Sequence, residues 1–423
     1  MSTQLRRAVT SSYLGSVIEY YDFLLYGTAS AVVFNKVFFA NLDPLLATVA
    51  SFGTFATGYL ARPIGGILFG HFGDLLGRKR MLVLSMTLMG VASFLIGVLP
   101  TYAQVGGLAP VGLVVLRLVQ GIAVGGEWGG SVLLSAEHAT SRRGLWAGFT
   151  NAGAPSGMVL STAVLTGTSA AVGEQAFLDW GWRIPFLLSI LLLAVGLFVR
   201  VKVEETPAFR AMTAAPQRRL PVVQVLRSHP KKLLLGIGVG FAAFVAQSTL
   251  TTFVISYAVQ AGHTRQAVLN VLTISSAGAV FGILAFAAMS DRFGRRPIVL
   301  VGTVAMAVWS FFLFPMIDAR SAALLLLSLF VGQAVLHAMM YGPLAALYSE
   351  MFRTENRYTG ASLAYQIGGL GAGIAPVLFA QLQRAGGGTL AISCTVAAFC
   401  LLAAGCVLAL KETNKQDLIP VAA

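Results

Sequence analysis

An all-α integral membrane protein, with twelve transmembrane helices in two pseudo-symmetric six-helix bundles, is the fold class the sequence predicts, and three observations carry it. The 423 residues are 57% hydrophobic and only 11% charged, with a mean hydropathy of +0.79, whereas a water-soluble domain holds roughly 25% charged residues. Apolar runs recur twelve times, each with the ~20 residues that cross a hydrocarbon core about 30 Å thick. Short motifs after the second and eighth runs repeat each other.

The first run, 13–37, opens YLGSVIEYYDFLLYG and carries Glu19 and Asp22 inside apolar sequence. Residues three or four apart share a helix face, so Glu19, Asp22 and Tyr26 form one polar stripe. An ionisable side chain near the centre of a bilayer helix costs roughly 2.5 to 3.5 kcal/mol, which marks both carboxylates as functional candidates. The next runs, 46–72 and 81–100, flank the loop GDLLGRKR, and Arg62 lies well inside the former. In the fourth, 110–134, Arg117, Gln120, Val124 and Glu127 fall within about an 80° arc at roughly 100° per residue. The fifth, 145–170, gathers Gly, Ala and Pro in AGFTNAGAPSGMVLS, as bending or closely packed helices do. The sixth covers 182–201.

The seventh to ninth runs, 233–260, 266–289 and 298–317, contain no carboxylate, and their polar residues include Gln247, Tyr257 and Asn270. The tenth, 321–347, repeats Gln333, His337 and Tyr341 every fourth residue, giving one stripe. Tyr365 and Gln366 lie in the eleventh, 359–382, whose YQIGGLGAGIAP matches the composition of the fifth. These neutral donors and acceptors suit the orientation of a small polar molecule, and His337 is also able to titrate. The twelfth, 388–410, holds Cys394, Cys400 and Cys406 at spacings that match no metal site.

The net charge of +13 could point to nucleic acid, but its placement does not. With the N-terminus inside and the runs alternating, 22 of the 29 Lys and Arg fall on the cytoplasmic side, which is the positive-inside pattern and puts both termini in the cytoplasm. The organisation is then residues 1–201 as an N-terminal bundle, 202–232 as a cytoplasmic linker, and 233–423 as a C-terminal bundle with a short tail. The start of the chain reads as a spanning helix rather than a cleaved signal, because it carries carboxylates and runs to full length. Within the bundles, GDLLGRKR at 73–80 matches SDRFGRRP at 290–297, and AEHATSRRG faces SEMFRTENR after the fourth and tenth runs. Duplicated halves of this kind place a binding site between them near mid-membrane.

These repeats, together with EYYDFLLYG, ARPIGGILFGHFGDLLGRK, RLVQGIAVGGEWGG, WGWRIPFLLS and VEETPAF in order along the chain, resemble the major facilitator superfamily. The closer resemblance is to its metabolite:proton symporter branch, whose members carry shikimate, 2-oxoglutarate, citrate, other carboxylates, or osmolytes such as proline and betaine. The resemblance implies a monomeric secondary transporter in a bacterial inner membrane, with protons as coupling ion and no other cofactor. It implies that a carboxylate on the first helix facing an Arg on the fourth couples protons, here Asp22, or Glu19, with Arg117 and near Glu127. It implies a cytoplasmic gate of Asp74, Gly77 and Arg78 near Arg142 and Arg143, with Asp291, Arg295, Glu350 and Arg357 as second copy.

For the substrate, the expected contacts are Tyr26, Arg62, Arg117, Gln120, Gln247, Gln333, His337, Tyr341, Tyr365 and Gln366. Two arginines in the first half favour an anion over a zwitterion. Other classes lack their residues. No Gly-x-x-x-x-Gly-Lys-Ser/Thr is present for a nucleotide-driven pump, nor His-Glu-x-x-His, Gly-x-Ser-x-Gly or paired Cys for an enzyme. GAPSGM departs from the Gly-Pro-x-x-Gly-Gly run of drug antiporters, so uptake is favoured over export or exchange. The tail KETNKQDLIPVAA is too short for a signalling domain and lacks the heptads of a coiled coil.

Overall fold

The computed structural model describes residues 3–76, 78–137, 139, 141–201, 221–352 and 357–414. Among them every regular element is helical, as the bilayer requires, because a helix satisfies its own backbone in hydrocarbon. In chain order α1 spans 3–37, α2 Pro44–Leu76, α3 Arg78–Val98, α4 Leu108–Ala136, α5 Arg143–Val172 and α6 174–201. The second half follows with α7 Pro230–Gln260, α8 Arg265–Phe293, α9 Arg295–Asp318, α10 Ala322–Met351, α11 Arg357–Arg384 and α12 Gly388–Ala409.

By length and composition alone, nine of the described helices qualify as membrane spans, or ten when the pair Glu174–Gly181 and Arg183–Phe198, bent by 42°, counts as one. The two that fall short, α1 and α5, bury many polar residues against other helices. Glu19, Asp22, Thr150, Asn151, Ser161 and Thr162 are all inside. A helix shielded by neighbours has no need of an apolar surface all round. Residues such as Leu60, Phe281 and Leu390 instead face outward.

Two boundaries differ from the sequence reading. α1 begins ten residues before the expected 13–37, because Leu5 and Val9 bury against Ala139, Trp146 and Phe149. The expected linker at 202–232 is shorter at its end, since α7 starts at Pro230 and Pro221–Ser228 forms a short helix that buries Val225. Residues 202–220 and Gly77 lie outside the described residues, and of Asp74 and Arg78 only the backbone is described.

α5 packs on α1 and α8, α2 on α4 and α11, and α12 on α7 and α9. The α2–α4 approach depends on glycine: a Cβ on Gly121 would stand 2.1 Å from the Gly58 carbonyl oxygen, and one on Gly125 2.1 Å from that of Arg62. Removing side chains there lets two backbones touch and brings Arg62 beside the residues of α4.

The repeat extends to irregularities. α1 carries a π-helical segment at Ser30–Phe34 and α7 one at Thr249–Phe253, and the α7 segment meets α1 across the halves just before the first of these, where Gly27 faces Thr252. A further π segment, Val331–His337, interrupts α10, and the turn at Gly126 and Glu127 interrupts α4. Such interruptions re-aim side chains within a helix and recur at functional sites.

At the face carrying the basic loops, Asp291 caps the start of α5, accepting from the backbone of Gly144 at 2.8 Å and Leu145 at 3.1 Å. At the other face Thr273 donates to Thr162 at 2.8 Å, and Arg265 meets Glu174 at 3.3 Å. Both ends of the interface between the halves are thus in contact at once.

Candidate substrate and proton site

Phe23, on α1, organises the centre. The guanidinium of Arg62 lies 4.0 Å from its ring centroid and that of Arg117 3.7 Å. Tyr59 and Tyr26 supply second rings, at 4.4 Å to Arg62 and 4.2 Å to Arg117. Both arginines are fully buried. The aromatic faces attract the cations, but they do not satisfy the N–H donors. Arg117 donates from Nη1 to Gln120 at 3.0 Å, while its Nε and Nη2, and all three nitrogens of Arg62, have no hydrogen-bond partner. A guanidinium presents five donors in a planar fork that matches a carboxylate, and burial without acceptors costs several kcal/mol per ion. Chemically, these unpartnered donors suit an anion.

Opposite them stands a wall built by both halves. Tyr20 from α1 meets Tyr341 from α10 at 3.2 Å and bonds Tyr365 from α11, and those two phenols also bond each other. Trp128, just after the break in α4, stacks flat on Tyr365 with centroids 3.6 Å apart. Asn151 of α5 fixes this arrangement, accepting from the Trp128 indole at 3.2 Å and donating to the Tyr341 carbonyl at 2.8 Å. Gln366 donates to the Gly125 carbonyl at 3.0 Å, and Gln333 donates to Ser276 at 2.9 Å. The His337 ring lies on Tyr341, with centroids 5.3 Å apart. The side-chain oxygens of Gln247, Gln333 and Gln366 and Nε2 of His337 are buried without partners, so the second half offers neutral hydrogen-bonding capacity.

The stripe expected on α1 is divided. Three residues at about 100° each turn Asp22 roughly 60° from Glu19, enough to send them to different neighbours. Glu19 acts electrostatically on Arg62 and Tyr20. Asp22 points toward α3 and α6, where Ser189 donates to its carboxyl and Ser93 stands beside it. Tyr26 donates to Thr54 at 2.8 Å. Asp22 and Arg117, expected to face each other, do not touch directly: Gln120 and Ser93 lie between them, with Gln120 donating to Ser93 at 2.7 Å. Glu127 is buried at the α4 turn.

At the basic face, Arg295 grips Glu350 with two bonds, at 3.0 and 3.3 Å, and donates to Asp291 at 2.8 Å. Arg357 is buried and donates to the Phe352 carbonyl at 3.4 Å. Arg142 is exposed with φ 52° just before α5, and Arg143 opens that helix. Asp291, Arg295 and Glu350 thus form one cluster joined to the first half. Glu412, just after α12, adds to it by accepting from the backbone of Arg295 at 2.9 Å and Arg296 at 3.0 Å.

Sequence reasoning missed Tyr20, Phe23, Tyr59, Ser93, Trp128 and Ser189. Tyr20, Phe23 and Trp128 adjoin Glu19, Asp22 and Glu127, and adjacency to a buried charge was their available signal. Serine in an apolar helix carries none, because its hydroxyl can return to its own backbone.

Duplicated helices closed at both ends around buried, unpartnered polar groups define a multi-pass membrane transporter. The chain belongs to the Major Facilitator Superfamily, whose family model matches residues 13–376 and 267–421. It is similar to the shikimate transporter of Escherichia coli (strain K12), at 39% identity over 386 residues, 90% of this chain and 88% of that one. It is also similar to the proline/betaine transporter of the same strain, at 35% over 392 residues, 90% and 78% of the two chains. A crystal structure of a D-xylose–proton symporter matches it with a TM-score of 0.78 and 19% identity over 99% of this chain and 100% of the other, which shows the shared fold. The protein is a transporter and not an enzyme.

Proposed function

We propose that this protein is a secondary active transporter that imports a small organic carboxylate by proton symport with alternating access. In this reading it acts as a monomer in a bacterial cytoplasmic membrane, with both termini in the cytoplasm. The observation that carries the reading is the pair of fully buried guanidiniums around Phe23, with five of their nitrogens unpartnered. A substrate carboxylate supplies the acceptors these donors lack, and its remaining polar groups meet Tyr20, Tyr341, Tyr365, Gln366, Gln333 and His337. The proton carrier is Asp22, with Glu19 as the alternative. A carboxylate shut among helices takes up a proton more readily than one in water, and a nearby cation opposes this. Opening to either face changes both influences, so the group gains and loses a proton within one cycle. The cluster of Asp291, Arg295 and Glu350 latches the cytoplasmic face, and the first-half motif with Asp74, Gly77 and Arg78 is its counterpart.

A zwitterionic osmolyte is the second reading, favoured by Glu19 acting on Arg62, an arrangement with a place for each charge. The test is uptake into liposomes holding the purified protein, using labelled shikimate, 2-oxoglutarate, citrate, proline and betaine with and without an inward proton gradient. Gradient-enhanced uptake of a carboxylate supports the first reading and of proline or betaine the second. Uptake indifferent to the gradient means a facilitator or exchanger and rejects symport.

A further inference from the structure

Arg117, Gln120, Ser93, Asp22 and Ser189 are all buried, and they come from four helices, α4, α3, α1 and α6. Their hydrogen bonds have a direction that the chemistry of the groups fixes. Arginine has only donors, so the Gln120 carbonyl must face Arg117, as it does at 3.0 Å. The Gln120 amide nitrogen is thereby turned to Ser93, 2.7 Å away. Ser93, accepting that bond, keeps its own O–H to give, and the carboxyl beside it is Asp22. Ser189 donates to the same carboxyl. Every donor runs from the guanidinium toward Asp22, the pattern an ionised carboxylate terminates because it can only accept.

We propose that Ser93 and Gln120 are positioning residues forming a switchable relay, through which protonation of Asp22 releases the Arg117 donor now held by Gln120. The relay rests on the reading of Asp22 as the proton carrier. When Asp22 takes a proton on the oxygen facing Ser93, its new O–H donates to the Ser93 oxygen, and the Ser93 hydroxyl loses that acceptor. The nearest remedy is rotation of the Gln120 amide, which offers its carbonyl to Ser93 and its NH2 to Arg117. Two donors then face each other, and Arg117 swings its freed Nη1 toward an anion. Protonation thus adds a third free nitrogen on Arg117 to the two it already has, which ties proton uptake to anion binding without direct contact between carboxylate and guanidinium. Ser189 holds the carboxyl but has no link to Gln120, so it tunes the proton affinity without transmitting the change.

Other titratable groups surround Asp22 and set the background. Glu19, Tyr20, Tyr21 and Tyr26 share its helix, Tyr59 and Arg62 lie on α2, Arg117 and Glu127 on α4 and Arg183 within α6. Beyond their first turns α3 and α5 bring none, and neither does the α7 segment Thr249–Phe253. Apart from Arg117, these groups act through space and are unaffected by loss of the Ser93 hydroxyl, which makes the relay separable from them.

The experiment is an infrared titration of the purified full-length protein in lipid, following the protonated carboxyl band that Asp22→Asn abolishes. It needs no substrate. In the parent protein, Arg117→Gln is expected to raise proton affinity at Asp22 by about tenfold, one pH unit. In a Ser93→Ala background the same Arg117→Gln change is expected to lose at least half of that effect, and Ser93→Thr, which restores the hydroxyl, to recover it. Ser189→Ala is expected to move the midpoint itself while the Arg117 effect keeps its full size. An undiminished Arg117→Gln effect in Ser93→Ala overturns the relay alone. The absence of any titrating band assigned to Asp22 removes it as proton carrier and the relay with it. Thermal unfolding of each variant confirms that the folded protein is being titrated.

Discussion

Arg62 and Arg117, from different helices, place their guanidinium carbons 4.0 and 3.7 Å from the ring centroid of Phe23. Two like charges held around one phenyl ring in a fully buried position repel each other, and the rings compensate only in part. An anion relieves the repulsion and satisfies the free donors together. In the proposed reading, this is why substrate binding and closure favour each other.

Arg62→Gln and Arg117→Gln are each expected to weaken carboxylate binding by about thirtyfold or more, the scale of truncating one partner of a buried charge pair. Arg117→Lys restores little, because an ammonium lacks the planar fork. Equilibrium binding of labelled substrate at fixed pH measures both.

Gly125→Ala is expected to separate α2 from α4, since the new methyl would stand 2.1 Å from the Arg62 carbonyl oxygen. Overpacking of this kind costs about 1 to 3 kcal/mol and moves Arg62 away from Phe23, so transition temperature and substrate affinity fall together. Gly53→Ala on α2, with nothing within 4 Å of the added atom, is the control and leaves both in place.

Loss of the Asp291 cap opens the basic face. Asp291→Asn weakens the bonds to Gly144 and Leu145, at 2.8 and 3.1 Å, and the ion pair to Arg295. A cysteine introduced as Ala287→Cys, buried at this interface against Gly148, is then expected to react severalfold faster with a membrane-impermeant maleimide supplied to that face. An unchanged rate excludes a latch.

Glu412 makes stability at the same face depend on acid. Burial pushes its carboxyl up, but hydrogen bonds from the backbone of Arg295, Arg296, Thr413 and Asn414 outweigh this and hold it below its ordinary value of 4.5. With the folded value below the unfolded one, the stabilisation is present above pH 4.5 and is lost as pH falls through the folded value. Glu412→Gln is therefore expected to lower the transition temperature at pH 7 by a few degrees, and the difference from the parent should shrink at about pH 3. Thermal unfolding in detergent across that range measures it.

Much of the architecture was legible because hydrocarbon imposes a length and a composition on any helix that crosses it. The reading succeeded even for α1 and α5, where neighbouring helices remove the need for an apolar surface. The charged residues of the centre were legible as well, since Glu19, Asp22, Arg62 and Arg117 stand out against apolar sequence. Their partners were not. Whether Arg117 reaches Asp22 or stops at Gln120 depends on side-chain reach and on a serine from α3, and helical periodicity carries neither. Trp128 carries no charge of its own to mark it, and it is the break in α4 that lays it on Tyr365.

Gradient-driven accumulation of a labelled carboxylate in liposomes, compared for the parent protein, Asp22→Asn and Glu19→Gln, tests the central claim most directly when counterflow exchange is measured on the same vesicles. The account predicts that Asp22→Asn loses accumulation under an inward proton gradient while continuing to exchange substrate across the membrane. Full accumulation in both Asp22→Asn and Glu19→Gln would contradict it and leave the two carboxylates with a structural role.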